Sequence, residues 1–304
     1  MKNLNDLRIL VVGDIMLDRY IQGTVNRISP EAPVPIVHVK KQYNTLGGCG
    51  NVVRNLKEIG VEVDCLASIG KDFNGEYITT ELKQIGANPL LFNGSSTTIV
   101  KERIIADERK VQMLRIDRED VRPINPLLPI DIHARMVNQK KYDVVIISDY
   151  AKGMISFDLM KFLKEEHSKI IVDPKPINTG MYNGVHMITP NSEEWKVIQL
   201  SSVYTLYKVK YILETKGKDG MKLIDYPLDK SVDIPAEPVE VYNVSGAGDT
   251  VIAVMGVCLS LGLDELNAAK VANKCAGYVV TQPGTSVIPK NKFIHNLHCI
   301  IGDK

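Results

Sequence analysis

The sequence predicts an α/β protein with a central, mostly parallel sheet, helices on both of its faces and a small β-sheet lid. Three observations carry that expectation. Short Val- and Ile-rich runs (Arg8–Val12, Val61–Ile69, Asp143–Ser148, Lys169–Val172, Val185–Ile188 and Tyr211–Glu214) are each bounded by Gly, Asp, Asn or Pro, as strands are. Between them lie stretches with apolar residues at helical spacing, such as Asn51–Ile59, Gly75–Ile85 and Phe157–Glu166. Two segments, 19–40 and 95–118, alternate as β-hairpins do with no helix between, and these are expected to form the lid over one sheet edge.

No internal repeat, low-complexity tract or linker breaks the 304 residues, so 1–304 reads as one unit with the lid inserted into it. Net charge is +1, so nothing global points to nucleic acid or an anionic membrane surface, and an anionic ligand needs a local site. The five cysteines are far apart and form no C-x-x-C pair, which argues against a zinc site or a disulfide framework and fits a reducing cytoplasm. The N-terminal MKNLNDLRILVVGD has no secretory apolar region. The longest nearly apolar run, Val251 to Leu263, is shorter than the about 20 residues that span a bilayer. A cytoplasmic protein without membrane or nucleic-acid partners is expected. In open parallel sheets ligands bind beyond the carboxyl ends of the strands, so chemistry is sought there.

The most informative run is 243–261. Gly246-Ala247-Gly248 precedes Asp249-Thr250 and an almost wholly apolar helical stretch. Glycines around one small residue let backbone amides turn inward together, and a helix N-terminus binds anions through free N–H groups and its dipole. An anion cradle beside a carboxylate suits phosphoryl transfer to a hydroxyl, the amides stabilising charge while Asp249 accepts the proton. The alternative is that Asp249 merely caps the helix.

GAGDT at 246–250 resembles the C-terminal signature of the ribokinase-like (PfkB) carbohydrate kinases. Three further motifs are similar and in the same order: Gly47-Gly48-Cys49-Gly50-Asn51, Asn191-Ser192-Glu193-Glu194 and Thr215-Lys216-Gly217-Lys218-Asp219-Gly220. The runs Val12–Tyr20, Arg27–Pro35, Ser148–Gly153 and Asp173-Pro174-Lys175 look like the bacterial D-glycero-β-D-manno-heptose-7-phosphate kinases. The resemblance implies a ribokinase-like fold, ATP with Mg²⁺, and transfer to the anomeric hydroxyl of a heptose 7-phosphate to give the 1,7-bisphosphate. Many relatives carry a second, nucleotidyltransferase domain; this chain, ending at Lys304, is expected to hold the kinase part only.

By resemblance, Asp249 is the general base and the 246–248 amides the anion hole. Asp14, with Asp18, grips sugar hydroxyls, and Gly47, Gly48 and Asn51 let backbone and amide approach the sugar. Lys101 and Arg103 share a strand face, and Arg115 lies on the returning strand, so together they could hold the substrate phosphate. Glu102, Asp107, Glu108, Asp117, Glu119 and Asp120 crowd the same stretch, which leaves a mixed-sign solvated face as the alternative. Arg109 and Lys110 read as hairpin-tip residues without a role. Glu194 would reach Mg²⁺ through water, and Asn191 would touch phosphates or cap a helix. Lys175 faces the phosphates, with Asp173 and Lys152 nearby. Thr215, Gly217 and Gly220 flank the nucleotide, and Asn273 lies near the adenine. Departures from the subfamily are Pro176-Ile177 after Asp-Pro-Lys, Gly-Gly-Cys-Gly for Gly-Gly-Ala-Ala, and a shortened helical stretch over 196–210.

Other acceptors, such as a fructose phosphate or a ketodeoxy sugar acid, remain open, as does a non-catalytic sugar- or nucleotide-binding regulator. A dinucleotide-dependent oxidoreductase does not fit, because Val12-Gly13-Asp14 is not followed by G-x-x-G opening a helix. An exposed lid face favours a homodimer through the lid.

Overall fold

A computed structural model describes residues 2–106, 111–120, 141–200, 206 and 208–302. The first strand, β1 (Arg8–Gly13), runs into β2 (Ile15–Ile28), which turns back as β3 (Pro35–Gly48) into helix α1 (Cys49–Ile59). Then come β4 (Glu62–Gly70), α2 (Phe73–Gln84), β5 (Asn88–Ser95), β6 (Val100–Ala106) and β7 (Val111–Arg118). The second half holds β8 (Val144–Ser148), α3 (Phe157–Glu166), β9 (Ile170–Asp173), β10 (Met187–Ile188), α4 (Ser192–Leu200), β11 (Tyr211–Thr215), β12 (Met221–Asp225) and β13 (Lys230–Ile234). Three helices close the chain: α5 (Ala247–Ser260), α6 (Glu265–Val279) and α7 (Lys290–Gly302).

Nine strands form the main sheet in the order β13-β12-β11-β10-β9-β8-β1-β4-β5. From β11 to β5 every pairing is parallel; β12 and β13 add an antiparallel edge. The alternation in β1 shows why two cores result. Ile9 and Val11 face one side, where they meet α1 and α5, while Leu10 and Val12 face the other, beside α3 and α4. All four side chains are fully buried, which is what a strand covered by helices on both faces demands. Helix α5 lies against the sheet centre, its Gly256 so close to β8 that a Cβ there would sit 2.7 Å from Ile146 Cδ1.

A second, four-stranded sheet has the order β3-β2-β6-β7. It is longer than the expected hairpin 19–40, taking in residues 15–48, because β2 continues β1 after a single residue, Asp14. The other expected lid segment begins later, at Val100, since Ser95 still belongs to β5 of the main sheet. Strand β6 pairs parallel to β2, so the second sheet is two hairpins laid side by side. Residues 107–110, with Arg109 and Lys110, and much of the shortened stretch 196–210 lie outside the described residues. Among the described residues no helix is long and apolar enough to cross a membrane.

Candidate active site

The carboxyl ends of β1, β8 and β9 open toward the N-terminus of α5, and there the candidate base sits. Asp249 is 6% exposed. Its Oδ2 accepts from Asn51 Nδ2 at 2.8 Å and its Oδ1 from the Tyr150 hydroxyl at 3.1 Å. Burial pushes its carboxyl up to about 6, against the pull of these two donors.

The helix behind it begins without a side-chain cap. Gly246 stands at φ +83°, a left-handed conformation that a side chain rarely takes, and a Cβ there would lie 2.7 Å from Asn51 Nδ2 and 2.8 Å from Thr285 Cγ2. Gly248 differs. It is already helical, and a Cβ on it would meet nothing within 4 Å, so open space lies before the first turn. The expectation that both glycines turn their amides inward is corrected to this extent: one glycine makes the turn, the other leaves room. Ala247 N–H donates back to Val244 O at 3.3 Å, and Thr250 N–H opens the helical ladder on Gly246 O at 3.0 Å. First-turn amides such as those of Gly248 and Asp249 have no acceptor inside a helix, so uncapped donors facing open space fit a phosphate group.

Asn51 is fully buried. It holds Asp249 on one side, while its Oδ1 accepts from Arg54 Nη1 at 3.0 Å. Arg54, one helical turn on along α1, also donates to Thr285 O at 3.3 Å. Asn51 therefore supports the carboxylate.

Asp14 too has a different partner set from the one expected. Its Oδ2 accepts from Tyr150 N at 2.8 Å and Lys152 N at 3.1 Å, and its Oδ1 from Met154 N at 3.1 Å. Both oxygens hold the loop after β8, in which Ala151 takes φ +54° and Gly153 φ +100°. Clamping a loop in that conformation requires an acceptor for several converging N–H groups, and a carboxylate supplies it. Burial, then the nearby Asp149, push the Asp14 carboxyl up to about 6. Gly48, at φ +58°, ends β3 where a Cβ would lie 2.3 Å from Asp14 O. Gly47 clears the Asp18 carboxylate: a Cβ there would lie 2.3 Å from Asp18 Oδ2.

The register of the second sheet places Asp18 opposite Lys101, Tyr20 opposite Arg103, and Arg103 opposite Arg115. Lys101, Arg103 and Arg115 thus share one face with Asp18 and Asp117. Their charges are not equivalent. Arg103 is paired with Asp18 at 2.5 Å, and Arg115 makes a two-pronged bond to Asp117, both prongs 2.8 Å. Lys101 instead lies with its Nζ 5.8 Å from the Tyr150 ring centroid. Burial, and Arg115 next, lower its pKa. Lys152 is paired with Glu119 at 2.8 Å.

On the far side, Asn191 and Glu194 cap α4 reciprocally. Glu194 N–H donates to Asn191 Oδ1 at 2.9 Å, and Asn191 N–H to Glu194 Oε2 at 3.0 Å. The remaining Glu194 oxygen is bonded to Lys175. Both Glu194 oxygens thus have a protein partner, each with a lone pair left for a water. Asp173, at the end of β9, is pushed well above the usual carboxylate range by burial first and by Asp249 next. Among the described residues no three His, Cys, Asp or Glu are grouped to hold a metal ion. Thr215 is bridged to Asn191, and the turn Gly217–Asp219 follows it. Gly217 (φ +57°) faces open space, whereas Gly220 (φ +89°) is packed against the Ile234–Ala236 backbone. Asn273, on α6, donates to Pro235 O at 2.8 Å, so its amide fastens that same segment.

A profile of the pfkB family of carbohydrate kinases matches residues 6–291. The chain belongs to this family. Two curated relatives are each called "Bifunctional protein HldE". The one from Desulfatibacillum aliphaticivorans is 39% identical over 301 residues, 92% of this chain and 61% of its own length. The one from Syntrophotalea carbinolica is 34% identical over 308 residues, 95% of this chain and 62% of its own. The chain thus spans about three fifths of the length of these relatives. Among solved structures, phosphofructokinase-2 from Escherichia coli in complex with potassium superposes with a TM-score of 0.75 at 14% identity, over 97% of this chain and 99% of its own. Arabidopsis thaliana ribokinase complexed with ribose and ATP does so with 0.73 at 17%, over 96% and 99%. These two show the fold, and it is ribokinase-like.

In this pfkB-family kinase the structure gathers Gly246, Gly248, Asn51, Asp18, Lys101 and Lys175 about Asp249 and Tyr150, while Arg115 is bonded to Asp117, Asn273 to Pro235, and Gly220 packs on the Ile234–Ala236 backbone. Three residues of the site were given no role from the sequence: Tyr150, Arg54 and Asp149. Tyr150 follows a parallel strand by two residues, the position where such sheets bind ligands. Arg54 falls at i+3 from Asn51 on a helix, and that spacing was its signal. Asp149 accepts from Ala151 N at 2.7 Å and Asn178 Nδ2 at 2.8 Å and from the Tyr182 hydroxyl. Nothing in its sequence position reports that network.

Proposed function

We propose that this kinase transfers the terminal phosphoryl group of ATP to a hydroxyl of a phosphorylated sugar, with Asp249 as general base. The observation that carries this reading is the buried carboxylate beside uncapped amides and the open space at Gly248. Asp249 takes the acceptor's proton as the acceptor oxygen forms its bond to phosphorus and the bond to ADP breaks. The amides of Gly248 and Asp249 face the charge on the transferring group. Mg²⁺ bound with the nucleotide would supply neutralisation of the charge that develops on the phosphates, with Glu194 reaching it through water. Asp173 and Glu194 are the carboxylates on that side. Lys175, held by Glu194, has its Nζ 5.6 Å from the Tyr150 ring centroid and is offered to the phosphates. Thr215 and Gly217 flank the nucleotide.

A base must be ionised to accept a proton, so activity is lost as pH falls through its pKa. With the Asp249 carboxyl at about 6, kcat/KM should decline below about pH 6 on a limb of unit slope. A limb near pH 4 would mean that an unburied carboxylate does the work.

The acceptor is proposed to be a heptose 7-phosphate, phosphorylated at its anomeric hydroxyl. Its support is the resemblance of 12–20, 27–35 and 148–153 to that subfamily, together with relatives that are 34–39% identical. Lys101 is the cation best placed for the substrate phosphate, since among the described residues no ion pair engages it. A second reading has its own observation: Arg103 and Arg115 are already neutralised by Asp18 and Asp117, which favours an uncharged sugar. Mass spectrometry of the products from ATP with heptose 7-phosphate, fructose 6-phosphate and free sugars decides between them. Lys101→Ala should raise KM for the phosphorylated acceptor about 10-fold or more and leave KM for ATP unchanged. Equal effects on free and phosphorylated sugars would remove Lys101 from the phosphate site.

A homodimer through the small sheet and a cytoplasmic location belong to the same proposal. Strands β3 and β7 are its open edges, and Val39, Val111 and Met113 on them are exposed.

A further inference from the structure

Tyr150 links the candidate base to both sheets. Its hydroxyl donates to Asp249 Oδ1 at 3.1 Å. Its ring is approached by Lys101 of β6 and by Lys175 after β9, with Nζ atoms 5.8 and 5.6 Å from the centroid. Its backbone N–H donates to Asp14 at 2.8 Å, inside the clamp that fixes the loop after β8. A phenol needed only for packing would not require its oxygen to end on the carboxylate at the mouth of α5. The neighbouring Asp249 charge first, and burial second, push the Tyr150 hydroxyl well above its ordinary pKa. It therefore stays a donor across the working pH range.

We propose that Tyr150 is a positioning residue for the base: its hydroxyl fixes Asp249 Oδ1 and, with Asn51 on Oδ2, holds the carboxylate charged and aimed at the acceptor hydroxyl. The inference rests on the reading of Asp249 as base. A carboxylate oxygen has two lone pairs, so Oδ1 can keep the phenol and still take the acceptor's proton. Other groups also face Asp249. Asn51, Arg54 and Cys49 come from α1, Asp18 from β2, Asp173 from the end of β9 and Lys175 from the loop beyond. Asp18 and Asp173 oppose its ionisation, while Lys175 and Arg54 favour it. Of all these, only Asn51 and Tyr150 are bonded to its oxygens. Removing one of two donors from a buried carboxylate should raise its pKa by about one to two units.

Tyr150→Phe isolates the hydroxyl, because the ring and its two lysine contacts remain. The experiment compares kcat/KM for heptose 7-phosphate, or for fructose 6-phosphate if only that is turned over, from pH 5.5 to 9.5 in wild type, Tyr150→Phe and Asp249→Asn. ATP affinity and melting temperature are measured in parallel to confirm folding. The expected result is an acid limb displaced upward by about one to two pH units in Tyr150→Phe. The deficit should be about 5- to 50-fold at pH 6 and should nearly vanish at pH 9. An undisplaced limb, or an equal deficit at both pH values, overturns the role of Tyr150 while an inactive Asp249→Asn leaves the base reading intact. An active Asp249→Asn overturns the base reading itself.

Discussion

Asp249→Asn is expected to lower kcat by about 10²–10⁴-fold, with ATP affinity little changed. The amide matches the carboxylate in size, so the buried site keeps its shape: its oxygen can accept from Asn51, and its NH₂ can donate to the Tyr150 hydroxyl, which then turns from donor to acceptor. What disappears is the proton acceptor. The residual rate comes from positioning and from the amides at the start of α5, which the substitution does not touch. Steady-state kinetics with an isothermal titration of ATP separates the two contributions. Turnover close to wild type would mean that the acceptor's proton leaves by another route and that Asp249 only anchors Asn51 and Tyr150.

Gly246→Ala is expected to lower kcat by about 10²-fold and to destabilise the fold by about 1–3 kcal/mol. Two costs combine. An alanine at φ +83° adopts a left-handed conformation that its Cβ disfavours. That Cβ also falls 2.7 Å from Asn51 Nδ2, the atom that donates to Asp249. Relief of the clash moves Asn51 and with it the carboxylate, and small misplacements at a reacting centre have large kinetic effects. Gly248→Ala is the matched control. Its Cβ enters space in which nothing lies within 4 Å, so melting should be unaltered, whereas turnover should fall because the added methyl occupies the place proposed for phosphate. Loss of stability in both variants, or normal turnover in Gly248→Ala, would remove the α5 terminus from phosphate binding.

Much of this arrangement could be read from local pattern, and the rest depended on pairings that pattern does not carry. Strands β1, β8 and β9 announce themselves as short Val/Ile runs because both of their faces are buried, so every residue is apolar. Asp249 was legible because a carboxylate that follows glycines at the head of an apolar helix must either cap that helix or work in a cleft. The strands β12 and β13 went unseen. At a sheet edge polar residues are tolerated, and KSVDI offers no apolar run. The protein partners of Asp14, Asn51 and Glu194 went unread for a different reason. A side chain's identity says what it can bond, not which of several neighbours reaches it first. Asp14 meets a loop 136 residues downstream, and Asn51 meets an acid 198 residues away. The pairing of Arg103 with Asp18 likewise required the parallel register of β2 on β6, which nothing in either segment encodes alone.

Asp14 is the sole residue between β1 and β2, while β3 passes into α1 with none between. The small sheet is therefore bolted to the main one at a joint with almost no slack, and its carboxylate at that joint grips the segment carrying Tyr150. A defect at position 14 would travel along this mounting in both directions. Lost activity on substituting it would therefore register misalignment of the two sheets as well as any contact with the acceptor.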